Sequence, residues 1–136
     1  MVGKNRINEL IEKLKSRDPD VRNSSALELR EIGDNSAVEP LLVEIFNPDN
    51  TNNRSTLVYA LESLDCSRYF WEIFQLALST KADVQMSALA ILFEQEFWIF
   101  QEEELIRAKE FLSEHRDTIE IELYDDLLNL INDFYD

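Results

Sequence analysis

DPDVRNSSALELREIG, residues Asp18 to Gly33, decides the fold. It is a helix with both ends marked. Pro19 fixes φ and suits the first helical position. Asp18 ahead of it is a capping residue, and Asp20 faces the positive end of the helix dipole. Val21, Ser25, Leu29 and Ile32 recur at three- and four-residue steps, the period of an amphipathic helix. Ala26, beside that stripe, is small enough to let a second helix come close. Gly33 follows the last apolar residue, where a left-handed cap is expected. Arg22 is the odd member, charged and one step from the stripe. Either it is solvated, or it lies along the seam between units, paired with a carboxylate such as Asp20 or Glu39.

Working outward, the pattern repeats. Ile7, Leu10, Ile11 and Leu14 form the stripe of a preceding helix over about Lys4 to Ser16. Val38, Leu41, Leu42 and Ile45 each lie 31 residues later, in a third helix over about Ser36 to Asn47. Four apolar positions sharing one offset identify a repeat. Pro40 sits in the first turn, where a missing N–H does little harm. Asn47-Pro48-Asp49-Asn50 breaks the chain before a fourth helix over about Thr51 to Asp65. There Arg54, Val58, Leu61 and Leu64 echo Arg22, Ala26, Leu29 and Ile32 at an offset of 32.

A fifth helix over about Ser67 to Ser79 continues with Phe70, Ile73, Phe74 and Ala77. A sixth, about Ala82 to Gln95, turns Val84, Ala88, Leu89, Leu92 and Phe93 inward, with Gln85 in place of the arginine. Phe97-Trp98-Ile99-Phe100 then breaks the periodicity. Its rings either plug the gap between the third and fourth units, or Trp98 stands at the surface as a binding anchor. Tryptophan is over-represented among interface hot spots. The seventh helix, about Glu102 to His115, turns Leu105, Ala108 and Leu112 inward, with Ile106 and Phe111 flanking. The eighth, about Thr118 to Tyr135, does so with Ile121, Tyr124, Leu127, Leu128, Ile131 and Phe134. Glu120, Glu122, Asp125, Asp126, Asp133 and Asp136 crowd its other side, as suits a capping unit.

Asp18 to Phe46, with DPDVR…A..L..IGD followed by..AVEPLL..I, resembles a HEAT-like repeat. The likeness is close there, fair to Leu64 and weak beyond. The resemblance implies an all-α fold, a right-handed α-solenoid of about four antiparallel helix pairs, as one domain over residues 1–136. It implies that first helices form the outer side and second helices line a concave side. Proteins of this type serve mostly as scaffolds and binding surfaces.

Composition narrows the function. The chain has 136 residues, 45% of them hydrophobic, with only 2 Gly and 3 Pro. That favours one helical domain with a real core. No run of about 18 apolar residues offers a membrane span. The start, MVGKNRINELIEKL, lacks the apolar core of a signal peptide. Cys66 is the only cysteine, so a reducing cytoplasm is the expected compartment. His115 is the only histidine. No glycine-rich phosphate loop occurs. Glu94, Glu96, Glu102 and Glu103 lack the Glu-x-x-His partner of a helical di-metal site. No catalytic residue, cofactor or metal is expected.

Net charge is −15, and it is uneven. Residues 69–136 hold 4 basic and 16 acidic side chains, a balance of −12. Such a field repels phosphate backbones and anionic lipid and attracts basic proteins. Some HEAT-like proteins are DNA glycosylases for alkylated bases, but these need a basic concave surface. The resemblance therefore does not carry that activity over, and HEAT-like lyases stay open with no residue here to support them; a HEAT-like glycosylase or lyase is the distant alternative.

The expectation is a non-catalytic module that binds a basic protein, with no nucleic acid or membrane partner, as a monomer or weak homo-oligomer. Groove-facing candidates are Asn23, Leu27 and Glu28, then Ser55, Tyr59 and Glu62, then Ile91, Glu94, Gln95 and Trp98, then Glu122, Asp125 and Asp126. Tyr59 and Trp98 offer rigid apolar contact, and the carboxylates steer a cationic partner. The most concrete form is an acidic immunity protein that neutralises a basic toxin, such as a nuclease, of a bacterial competition system. The alternative is a HEAT-like scaffold or adaptor.

Overall fold

The computed structural model describes residues 3–135. It contains eight α-helices and, among the described residues, no strand. The helices are α1 (Lys4–Lys13), α2 (Pro19–Ile32), α3 (Val38–Ile45), α4 (Ser55–Ala60), α5 (Phe70–Ala77), α6 (Ala82–Glu94), α7 (Glu102–Glu114) and α8 (Ile121–Asp133). Short 3₁₀ turns at Asn35–Ala37, Pro48–Asn50 and Leu61–Ser63 punctuate the first half. Asp136, expected on the last acidic face, lies outside the described residues.

Helix α2 owes its two ends to local chemistry. The Asp18 carboxylate accepts from the Asp20 N–H at 2.9 Å, and Pro19 takes the first position. Gly33 adopts φ 73° and its N–H closes on the Leu29 carbonyl at 3.0 Å. A β-carbon is unfavourable in that left-handed conformation. The stripe, however, is rotated. Arg22, Ser25, Ala26 and Leu29 are buried, whereas Val21 is exposed.

Consecutive helices pack in pairs, α1 on α2, α3 on α4, α5 on α6 and α7 on α8. Between pairs, α2 packs on α4 and α4 on α6. Hydrogen bonds cross between units at about one repeat length. Ser63 Oγ donates to the Arg30 carbonyl at 2.8 Å, and the Asp65 N–H to Asn35 Oδ1 at 2.9 Å. The Tyr69 hydroxyl donates to Glu39 at 2.7 Å. One continuous core results, with Leu10, Leu14, Leu29, Leu41, Ile45, Leu57, Leu61, Phe70 and Phe74 shut off from solvent.

The fourth pair departs from the rule. α7 packs on α5, but α8 makes its extensive contact with α7 alone and does not extend the row α2–α4–α6. Aromatic rings fill the junction. Phe70 meets Phe134 at 5.5 Å edge to face, Phe100 at 5.8 Å and Trp98 at 5.4 Å. α8 also begins three residues later than its periodicity predicts, which leaves Ile121 64% exposed instead of inward. α3 and α5 also start later and end sooner than expected, and α4 is shorter still, six residues of α-helix tightening into a 3₁₀ turn before Leu64.

Candidate functional site

Arg22 is 3% exposed and lies in the seam, but no carboxylate pairs with it among the described residues. Its Nη1 donates instead to the Ser16 carbonyl at 3.0 Å, just past the end of α1. Arg54 Nη1 reaches the Ile45 carbonyl at the end of α3, at 3.3 Å. Gln85 Nε2 reaches the Ala77 carbonyl at the end of α5, at 3.0 Å. The second helices of the first three pairs are thus each tied near their start by one side chain to a backbone carbonyl, an orphan of the preceding helix at Ile45 and Ala77 and a loop carbonyl just past it at Ser16. The Arg-to-Gln change in the third unit keeps the bond and drops the charge.

The candidate binding residues fall into two groups. Tyr59 is exposed on α4, with the Arg30 guanidinium 4.2 Å from its ring centroid. Glu62 is half-buried in the 3₁₀ turn after α4, and Glu94 is exposed at the end of α6, which packs on α4. Leu27 on α2 is exposed too, whereas Ile91, expected to face the groove, is buried. Met86 and Phe93, 70% and 50% exposed and seven residues apart on α6, add apolar surface to this helix, although periodicity turns Phe93 inward. α6 is apolar almost all round, so its sequence marks no single inward stripe.

Glu122, Asp125 and Asp126 form the second group, on α8 with buried Leu127 and Ile131; Glu122 and Asp126 are exposed and Asp125 is too. α8 makes no extensive contact with α4 or α6, so these three carboxylates stand on a helix outside the row that carries Tyr59. Trp98 belongs to neither group. The segment Phe97–Phe100 carries no helix, and the Ile99 N–H donates to the Ser67 carbonyl at 2.7 Å. Its side chains alternate, as in an extended chain. Trp98 and Phe100 are half-buried against Phe70, while Phe97 and Ile99 face solvent at 59% and 45% exposure.

Charge pairing is as uneven as charge itself. Among the described residues, ion pairs within 4 Å join only Arg6 to Glu9 and Glu28, Lys13 to Glu9, and Lys15 to Glu12. Four basic residues follow position 68, and three lie over aromatic rings instead of against carboxylates. Arg107 sits 5.5 Å from the Trp71 centroid, Arg116 5.5 Å from Tyr124 and Lys109 6.0 Å from Tyr135. The acidic half thus projects a field that its own cations do not close off. Within it, the Glu72 carboxyl is lifted above its ordinary pKa, chiefly by burial, with Glu104 adding to the effect.

Cys66 and His115 are each engaged by a local backbone carbonyl. Cys66 is buried and its thiol is pushed up to about 12, chiefly by desolvation. His115 Nδ1 lies 2.8 Å from the Phe111 carbonyl, and its ring stacks on Phe111 at 4.3 Å. Among the described residues no group of three or more His, Cys, Asp or Glu is placed to hold a metal ion. No described helix is long and apolar enough to cross a membrane. Comparison with protein-family models, with curated proteins and with solved structures finds no match.

Proposed function

We propose that this chain is a non-catalytic protein-binding module of the HEAT-like type, whose acidic C-terminal half receives a cationic protein. One observation carries the reading. Residues 69–136 have a balance of −12, and no ion pair within 4 Å neutralises any described carboxylate there. Unpaired surface carboxylates cost little in water and become useful when a partner brings cations to them. The architecture proposed with it is a right-handed solenoid of four helix pairs, the last a cap. Support comes from the row α2–α4–α6 and from hydrogen bonds spanning about one repeat.

The most concrete partner is a basic toxin domain, a nuclease by preference, which this chain neutralises in the cytoplasm as an immunity protein. A surface that binds phosphate backbones is cationic, and an acidic protein competes for it. A second reading, a scaffold or adaptor, is favoured by the exposed apolar side chains Leu27, Tyr59, Met86 and Phe93 across α2, α4 and α6.

Affinity capture from native cells tests the choice. The immunity reading expects a basic partner whose expression alone stops growth and whose toxicity is relieved by this chain. Binding is expected to weaken steeply with salt and with the triple change Glu122→Lys, Asp125→Lys, Asp126→Lys. A captured partner that is harmless alone, and held unchanged through high salt and the triple change, favours the scaffold reading.

A further inference from the structure

A cleft of about 540 Å³ opens where the α1–α2 loop faces the α3–α4 loop, lined by residues of the N-terminal half of the chain. Its walls include Lys15, Arg17 and Arg22 on one side and Glu44, Asp49 and Asn50 on the other. Three of these side chains are built in. Arg22 is 3%, Asn50 5% and Glu44 9% exposed. Burying a charge without a partner is costly, so paired charges are the rule inside proteins.

Here Arg22 and Glu44 line one cleft without meeting. Arg22 and Glu44 are not within 4 Å of one another, and Arg22 Nε, closed off from solvent, has no hydrogen-bond partner among the described residues. Arg22 is held by Nη1 on the Ser16 carbonyl, which leaves Nη2 unspent. Glu44 is held by Oε1, which accepts from Asn47 and Asn50 at 3.4 Å each, and Oε2 accepts nothing among the described residues. Asn50 is itself pinned on the Glu44 carbonyl at 2.9 Å. Both charges are fixed before any ligand arrives, which lowers the cost of ordering them.

We propose that this cleft binds a small zwitterion, a free α-amino acid, with its carboxylate on Arg22 and its ammonium on Glu44. A simple anion meets Glu44 and Asp49 in a chain of net charge −15, and a simple cation meets Lys15, Arg17 and Arg22. Only a ligand carrying both signs satisfies both walls. The volume suits a small ligand. Recognition here is independent of the protein partner proposed above, since the two lie in different halves of the chain.

The test titrates the full chain with a panel of free L-amino acids, alongside acetate, methylammonium and inorganic phosphate, by calorimetry and thermal unfolding. At least one amino acid is expected to bind and raise Tm, with acetate, methylammonium and phosphate inert at the same concentration. Arg22→Gln keeps the type of carbonyl bond that Gln85 makes and removes the charge, and Glu44→Gln keeps the amide contacts. Each is expected to weaken binding by about tenfold or more. Should Arg22→Gln fail to fold, Glu44→Gln and Arg17→Ala carry the test. The proposal is overturned if no amino acid binds, if phosphate or acetate binds equally well, or if Glu44→Gln binds as tightly as the unaltered chain.

Discussion

Arg22 and Gln85, in the first and third helix pairs, make the same bond with different chemistry. Each donates one side-chain N–H, at 3.0 Å, to a backbone carbonyl, Gln85 to the last residue of the preceding helix and Arg22 to the loop just past it. Arg54 does so between them, at 3.3 Å, and burial pushes its pKa below the ordinary value. The bond is the shared requirement and the charge is not. Arg54→Gln is therefore expected to leave stability unchanged or raise it. Arg54→Ala and Gln85→Ala each orphan a carbonyl and are expected to lose about 1 kcal/mol. Urea unfolding of the three variants checks this, and equal losses for Arg54→Gln and Arg54→Ala would show that the charge matters.

How far the sequence discloses this can be seen at the same residues. The Asp18 cap and the Gly33 stop are local signals, and each appears in the structure where expected. Arg22 reads as either seam or surface, because its nearest candidates in sequence are carboxylates and its actual partner is a backbone carbonyl. Backbone acceptors carry no residue signature. Val21, Ile91 and Phe93 sit on other faces than their spacing implies, for a related reason. Helical period gives a stripe, but an offset of one residue rotates it by about 100°, and neighbouring apolar residues leave the rotation undetermined. That Glu122, Asp125 and Asp126 stand on a helix outside the α2–α4–α6 row depends on how α8 docks, which no local pattern encodes.

Cys66 is shut into the core with its Sγ 3.6 Å from the Leu61 carbonyl, and its thiol is pushed up to about 12. The thiolate is the reactive form. At about pH 8, near the ordinary thiol value, a disulfide-exchange reagent is therefore expected to label native protein only as fast as it unfolds. Urea is expected to release full reactivity. Rapid labelling of folded protein, judged by circular dichroism, contradicts the buried placement.

Glu72 on α5 is lifted above its ordinary value of 4.5, first by burial and also by Glu104 across the α5–α7 contact, with a backbone hydrogen bond to the carboxylate and Arg107 opposing. The folded state then holds this proton more tightly than the unfolded chain. Its contribution to stability falls as pH rises through the window above 4.5 and is restored below it. Glu72→Gln is expected to raise Tm at about pH 7, with the gain vanishing as pH drops below about 4.5. A variant that is less stable at neutral pH would place a compensating hydrogen bond on the ionised form.

Salt acts in two opposing ways. The four ion pairs of α1 and α2 are surface pairs, each worth about 0–1 kcal/mol, and salt weakens them. Mutual repulsion within residues 69–136, which hold 16 acidic side chains against 4 basic ones, is also screened. Repulsion outweighs the weak surface pairs, so Tm is expected to rise on going from low to physiological sodium chloride. The charge reversal Asp125→Lys with Asp126→Lys is expected to shrink that rise. A fall in Tm with salt in the unaltered chain would mean that the Arg6–Glu28 cluster dominates.

Phe97 to Phe100 gives the sharpest contrast within one short segment. Trp98 stands edge to face on Phe70 at 5.4 Å, and Phe100 packs on both Phe70 and Phe134, the latter at 4.8 Å. These rings close the junction that α8 leaves when it does not continue the α2–α4–α6 row. Phe97 and Ile99 contribute little to that junction and face solvent. Trp98→Ala opens a cavity beside Phe70 and is expected to lose about 2–3 kcal/mol, less than a fully buried ring because Trp98 is only half-buried. Phe97→Ser is expected to stay within about 0.5 kcal/mol of the unaltered chain. Unfolding by urea with circular dichroism reads both. If Trp98→Ala costs nothing while Phe97→Ser destabilises, the strap is turned the other way, and Trp98 returns as a surface anchor.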